Sequence, residues 1–326
     1  MKYFVTGATG FVGGRLVRQL REAGHSVRAL VRNPAQATAL KALGVEVYPG
    51  DITDKESMRA PLTGVDGVFH CAAWYKIGVR DTRPAEPTNV GGTRNVLELM
   101  RELAIPKGVY TSTLAVNSDT HGKLVDESYH FTGTHVTEYD RTKAAAHALA
   151  QSMMAQGLPL VVVMPGLIYG PGDTSTVRQM LIQFIKRMLP AVPKETSFSW
   201  AHVDDIARAH ILAMEQGKVG EKYIVCGATH TLLEGITLAA KLLGRNAPWP
   251  APSGMFRALV GPLRLIERFV SLPETYSSDA MRVSGGMTYI GDNAKARRDL
   301  GYTPRGLSIG LAETLDHELA LLGKKR

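Results

Sequence analysis

Tyr139 and Lys143, with Asp140-Arg141-Thr142 between them, are the pair in this chain best suited to moving a proton. Side chains four residues apart share a helix face, so an ammonium there favours phenolate and tunes the phenol as a proton donor. Without such help a phenol, with a pKa of about 10, is a poor acid or base at neutral pH. Upstream, Thr111-Ser112-Thr113 ends an apolar run, and a hydroxyl placed there can steady charge developing on a reacting oxygen. Successive strand residues face opposite ways, so only one of Ser112 and Thr113 should turn toward substrate. A tyrosine and a lysine at this spacing also occur on plain solvated helix faces, so the chemistry depends on what accompanies them.

The accompaniment begins at Thr6-Gly7-Ala8-Thr9-Gly10-Phe11-Val12-Gly13, between a short apolar strand, Tyr3-Phe4-Val5, and a helix pattern from Phe11 to Ala23. Glycines at 7, 10 and 13 permit a tight turn, close approach of a pyrophosphate and close helix-to-strand packing, with the phosphates at the helix N-terminus. Gly7, Thr9, Gly10, Phe11, Val12 and Gly13 are therefore candidate cofactor residues. The next strand runs from Ser26 to Val31 and ends in Arg32-Asn33-Pro34, where a site for NAD usually carries a carboxylate for the ribose hydroxyls. Arg32 instead offers a planar, permanently charged fork for a 2′-phosphate, so NADP(H) is the expected cofactor and NAD(H) the alternative. Two further strand ends, Asp51-Ile52 and Cys71-Ala72-Ala73, suit the flanks of adenine and ribose, although Asp51 also reads as a turn residue or helix cap.

Strand and helix signals alternate from residue 1 to about 160, which predicts an α/β fold: a Rossmann-type doubly wound parallel sheet with a smaller C-terminal substrate lobe. The dinucleotide-binding core is expected over 1–164, with 201–230 returning to it through a late strand near Lys222 to Gly227. Segments 165–200 and 231–326 then form most of the substrate lobe, interleaved with the core. Trp74, Tyr75 and Trp200 are candidate aromatic walls of the substrate site, or else core. Within the lobe, 255–270 is apolar with interspersed arginines, and Gly261-Pro262 should bend or break any helix there. Core packing, lining an apolar pocket and touching a membrane surface are all open to it.

A chain of 326 residues, 44% of them hydrophobic, has enough apolar material for a substantial core. Two cysteines, Cys71 and Cys226, are too few for a disulfide framework, and a reducing cytoplasm is the expected setting. The net charge of +8 comes from dispersed basic residues without aromatic platforms, so nucleic acid is not an expected partner. Met1-Lys2 leads directly into a strand, so no signal peptide is expected, and no uncharged apolar run is long enough to span a membrane. The histidines lack the Cys/His spacing of zinc sites, so no metal is expected. Asp204-Asp205 opens an apolar-periodic stretch and reads as helix-start charge.

With the glycine-rich start, the Ser/Thr cluster and Tyr-x-x-x-Lys in this order, the chain resembles the extended short-chain dehydrogenase/reductase family over nearly its whole length. Later landmarks carry the same resemblance: Asn89-Val90-Gly91-Gly92-Thr93, Pro165 to Gly172, His202 to Ala207, and Asn293-Ala294-Lys295 ahead of Leu300-Gly301-Tyr302. The resemblance implies that Tyr139 is the general acid/base, that Lys143 contacts the nicotinamide ribose, and that Thr113, or Ser112 beside it, bonds the reacting oxygen. It further implies that Pro165, Gly166 and Ile168 line the nicotinamide with Tyr169 toward substrate, and that Asn89 holds a helix distortion or a water near the site. Within the family the chain is most similar to dihydroflavonol-reductase-type carbonyl reductases, which implies NADPH-dependent reduction of a small-molecule aldehyde or ketone. A nucleotide-sugar epimerase or dehydratase is the alternative; Tyr169-Gly170-Pro171 resembles that branch, whereas Met164 stands where many of its members have Arg. A sterol or hydroxysteroid dehydrogenase and an NADP(H)-sensing binding protein are further readings, the last opposed by intact Tyr139, Lys143 and Thr113. A homodimer through a helix pair is the implied assembly, a monomer its alternative.

Overall fold

Short apolar runs become the strands of a parallel sheet in the computed structural model, which describes residues 1–270 and 272–324. In chain order the first half comprises β1 (Lys2–Thr6), α1 (Phe11–Glu22), β2 (Ser26–Val31), α2 (Thr38–Ala42), β3 (Glu46–Pro49), α3 (Lys55–Leu62), β4 (Gly67–His70), α4 (Thr93–Glu102), β5 (Gly108–Thr111), α5 (Glu138–Ala155) and β6 (Leu160–Pro165). Then follow β7 (Leu167–Tyr169), α6 (Thr176–Ile185), β8 (Ala191–Pro193), β9 (Ser197–His202), α7 (Val203–Glu215), β10 (Lys222–Val225), β11 (Thr229–Thr231), α8 (Leu232–Leu242) and β12 (Trp249–Ala251). The described chain closes with α9 (Ser253–Ile266), α10 (Ser278–Ser284), β13 (Thr288–Tyr289), α11 (Ala294–Leu300) and α12 (Leu307–Leu321).

Seven strands form the main sheet in the order β3-β2-β1-β4-β5-β6-β10, each neighbouring pair parallel. Parallel sheets are covered on both faces, which is why β4 and β6 are buried at every position. Alternation along β1 divides its residues: Tyr3 and Val5 pack with Leu16, Leu20 and Ile206 on one side, Phe4 with Met58, Leu97 and Tyr110 on the other. Strand order reverses between β1 and β4, and a fold of this class binds ligands at that reversal, outside the carboxyl ends of the strands. The two strand ends are tied by Thr6 Oγ1 to His70 Nδ1 at 2.8 Å, and His70 Nε2 lies 3.0 Å from Thr93 Oγ1. Burial lowers the His70 pKa to about 3, so the imidazole links them as a neutral group.

The chain leaves this layer after β6 and returns to it through α7 and β10. Around β9, flanked by β7, β11 and β13, a smaller lobe packs Leu181, Trp200, Ile236 and Leu311 into a core of its own. Of the roles open to 255–270, the structure removes core packing: only Ser253 of the 14 residues of α9 is buried. Nor does Gly261-Pro262 end the helix, which runs through it to Ile266. On an exposed helix the carbonyl that loses its N–H partner remains open to solvent, which lowers the cost of an interior proline. Among the described residues no helix is long and apolar enough to cross a membrane.

Candidate active site

The glycines after β1 form a cradle that side chains would fill. Gly7 adopts φ +71°, and a Cβ on it would stand 2.7 Å from the Ala72 backbone nitrogen. A Cβ on Gly13 would stand 2.1 Å from the Gly7 carbonyl oxygen, so α1 reaches the turn only because that carbon is missing. No side chain caps α1 and no acid occupies its first turn, leaving its N–H groups directed at the cleft for an anion. Beside it, Thr9, Val31, Arg32, Asn33 and Gln36 line a cavity of about 350 Å³. Arg32 is exposed there and makes no ion pair among the described residues. These features fit a dinucleotide: backbone donors for pyrophosphate at the start of α1, and an exposed guanidinium at the end of β2.

Other candidate cofactor residues are placed less uniformly. Asp51 Oδ1 accepts from Thr53 N and Thr53 Oγ1, both at 2.8 Å, so Asp51 makes a turn while Asp54 caps α3. Ile52 is turned inward under Gly92, whose Cβ, if present, would clash with it. Cys71 follows β4, and burial pushes its thiol up to about 11, so it stays protonated. Ala72 donates its N–H to Thr6 Oγ1, and Ala73 is exposed. After β6, Gly166 allows the chain to pass against Ser199, whose carbonyl oxygen would lie 2.1 Å from a Cβ; half-buried Ile168 follows Pro165 and Gly166 on the same path.

Thr137 caps α5, and the first turns of that helix carry Tyr139 and Lys143. Lys143 is 3% exposed; its Nζ donates to the Thr111 carbonyl oxygen at 2.7 Å and the Tyr110 hydroxyl at 3.1 Å. Burial, followed by Tyr75, raises the Tyr139 pKa above the ordinary phenol range, while the neighbouring Thr113 hydroxyl works against that rise. Tyr139 is therefore held as the neutral phenol, while Lys143, one turn further along α5, directs its ammonium to Tyr110 and the Thr111 carbonyl. Tyr75 meets the Tyr139 ring edge-on, centroids 4.9 Å apart. The Ser112 hydroxyl points away, 2.7 Å from buried His147 Nδ1, which leaves Thr113 as the neighbour beside Tyr139.

Two supports were less legible. Residues Pro87–Gly92 form a π-helical turn in which buried Asn89 accepts from Trp74 N at 2.7 Å and donates to Trp74 O and, at 2.9 Å, to Thr142 Oγ1. Asn89 thereby fixes the Trp74-Tyr75 loop to the helix turn holding Lys143, in keeping with the helix distortion expected of it. Asp140, next to Tyr139, is buried and accepts from the Tyr289 hydroxyl at 3.2 Å; desolvation raises its pKa to about 7. No spacing rule links Tyr110 or Tyr289 to Tyr139, and sequence reasoning missed both.

Tyr169 and Trp200, expected toward substrate, are instead core residues of the smaller lobe, 1% and 2% exposed. Their rings pack edge-to-face at 5.6 Å, and Trp200 Nε1 donates to the His230 carbonyl oxygen, so neither borders the cleft. Asp204 and Asp205 lie in the first turn of α7. Arg305 grips Asp205, with Nη2 to Oδ1 at 2.9 Å, and Arg15 faces Asp204 at 3.6 Å. His202, Asp204 and Glu313 bring donor atoms within 4.8 Å of one another, but Arg305 also holds Glu313 at 2.7 Å, so these carboxylates already have cationic partners.

A glycine cradle at the strand-order reversal, with half-buried Tyr139 and buried Lys143 one turn apart on α5, defines an NAD(P)-dependent oxidoreductase of the extended short-chain dehydrogenase/reductase type. The chain belongs to the NAD dependent epimerase/dehydratase family, whose profile matches residues 3–226. It is 32% identical to a protein of Synechocystis sp. provisionally named a dihydroflavonol 4-reductase, over 96% of this chain and 93% of that one. It is also 32% identical to the 4-hydroxy-2-methyl-3-oxo-4-farnesyl-3,4-dihydroquinoline-1-oxide ketoreductase of Stigmatella aurantiaca, covering 94% of this chain and 92% of the relative. Among solved structures, a mutant UDP-glucuronic acid 4-epimerase of Bacillus cereus, in complex with UDP-4-deoxy-4-fluoro-glucuronic acid and NAD, shares the fold with a TM-score of 0.79 at 20% identity, covering 98% of this chain and 100% of that one.

Proposed function

We propose that the chain reduces the carbonyl of an apolar aldehyde or ketone with NADPH, Tyr139 giving the proton and Thr113 steadying the oxygen. The observation that carries this reading is the placement of half-buried Tyr139 in the first turn of α5, beside the Thr113 hydroxyl and one helix turn from buried Lys143. When bound, the nicotinamide cofactor supplies the hydride. Gly7, Gly10 and Gly13 admit its pyrophosphate, and Arg32 receives the 2′-phosphate. An ammonium has three N–H donors; Lys143 uses two within the protein, which leaves one for a ribose hydroxyl. The two reductase names among the relatives support carbonyl reduction, and the farnesylated substrate of one supports an apolar partner.

The test is oxidation of NADPH and, in parallel, NADH across aromatic and aliphatic aldehydes and ketones. Tyr139→Phe is expected to lower turnover at least ~100-fold while NADPH still binds, the usual weight of a positioned general acid. Arg32→Ser is expected to lower kcat/KM for NADPH about tenfold and leave that for NADH unchanged, since one charge-assisted contact is worth about that much. Full turnover in Tyr139→Phe would sink the reading. Failure of both nucleotides on every carbonyl would replace it with sugar-nucleotide epimerisation on retained NAD.

A further inference from the structure

The helix α9 is amphipathic yet almost entirely uncovered. Met255, Leu259 and Ile266 are 40%, 42% and 44% exposed, and Phe269 and Val270, in the turn that follows, are 79% and 56% exposed. At about 100° per residue Met255, Leu259 and Ile266 fall on one face of α9, Leu265, 57% exposed, lies to one side of it, and Arg257 and Arg264 lie on the opposite side; Phe269, Val270 and Arg268 belong to the turn beyond. The one acid of the segment, Glu267, is turned inward, accepting from Ser278 N at 2.7 Å and Ser278 Oγ at 2.6 Å. Arg264 and Arg268 make no ion pair among the described residues.

We infer that α9 docks this protein on the surface of an anionic lipid bilayer, lying in the plane of the interface without crossing it. An apolar face backed by a basic stripe is the pattern of interfacial helices. Charge complementarity selects the occupant: Asp279 lies near Arg264 and Arg257 donates to the Gly285 carbonyl, but Arg264 and Arg268 are exposed and in no ion pair among the described residues; a second copy of the chain would bring the same cations, whereas anionic headgroups supply counter-charge. The position suits an apolar substrate. α9 packs along α10, and Arg282 of α10 donates to the Val136 carbonyl oxygen at 2.7 Å, immediately before the Thr137 cap of the helix that carries Tyr139. These contacts join the docking helix to the helix that carries Tyr139. The inference does not depend on the reaction proposed above, because its readout is binding.

The experiment is co-sedimentation of the full chain with vesicles of phosphatidylcholine alone and of phosphatidylcholine with phosphatidylglycerol. Expected are binding to the anionic vesicles that weakens as salt rises, a loss of at least tenfold in Leu259→Asp/Phe269→Asp, and a loss of about fivefold for each arginine removed in Arg264→Ser/Arg268→Ser. These residues are exposed, and an unchanged melting temperature with unchanged NADPH binding confirms that the variants are folded. Absence of binding to anionic vesicles, or equal binding by the variants, overturns the inference. So does a dimer in sedimentation velocity that Leu259→Asp/Phe269→Asp dissolves, which would give this face to a second copy.

Discussion

Asp140 shows how much of the site is set by surroundings rather than by residue type. Its side chain is enclosed by Thr137 and Tyr289, with Asp279 as a like charge nearby, and burial holds its pKa at about 7. An unfolded Asp titrates near ~3.9, so between about pH 4 and pH 7 the folded chain binds the extra proton and stability falls as pH rises. Asp140→Asn keeps the shape without the charge. Its stability relative to the parent should therefore rise by roughly 2 kcal/mol from pH 5 to pH 8, read from urea unfolding at each pH; parallel curves would show that Asp140 is already ionised at pH 5. The Tyr139-Lys143 pair was legible because both residues lie on one helix, where spacing fixes geometry. Ser112 and Thr113 were legible only as alternatives, since strand parity separates neighbours without saying which face holds His147. Tyr289 was not legible, because its contact with Asp140 spans 149 residues.

At the scale of elements, α1 and its turn were readable from glycine spacing because backbone clearance depends on local sequence. Gly13 and Gly14 make this testable within one helix. A Cβ on Gly13 meets the Gly7 carbonyl at 2.1 Å, whereas one on Gly14 comes no nearer than 3.5 Å to the Ala8 carbonyl. Gly13→Ala should lower stability by about 2 kcal/mol or more and weaken NADPH binding at least tenfold. Gly14→Ala should raise stability by about 0.5–1 kcal/mol through helix propensity, both read from thermal unfolding and nucleotide titration. Equal effects would mean that the turn yields. The long buried strands were legible as apolar runs. The lobe strands of two or three residues were not, because their pairing with β9 depends on contacts made after the chain has left and re-entered the main sheet. For 255–270, composition showed an apolar segment with arginines, Gly261-Pro262 was expected to interrupt any helix, and the sequence left open that only Ser253 of α9 is buried.

At the scale of the whole molecule, the sheet is not finished in the order in which its strands are made. β6 is followed by an excursion into the smaller lobe and through α7 before β10 pairs with it. Two-lobed organisation was visible in the sequence from glycine and proline at the exits, and the late strand from its apolar run; the joining of β10 to β6 is a matter of topology. It bears on synthesis. All six residues of β6 are buried in the completed fold, yet until Val225 has been added β6 ends the sheet with its outer backbone groups unpaired. At about 5–20 residues per second, the ribosome takes several seconds to supply the missing neighbour. During that interval the nascent chain presents an apolar strand edge, the form of surface that chaperones shield and that neighbouring nascent chains can capture.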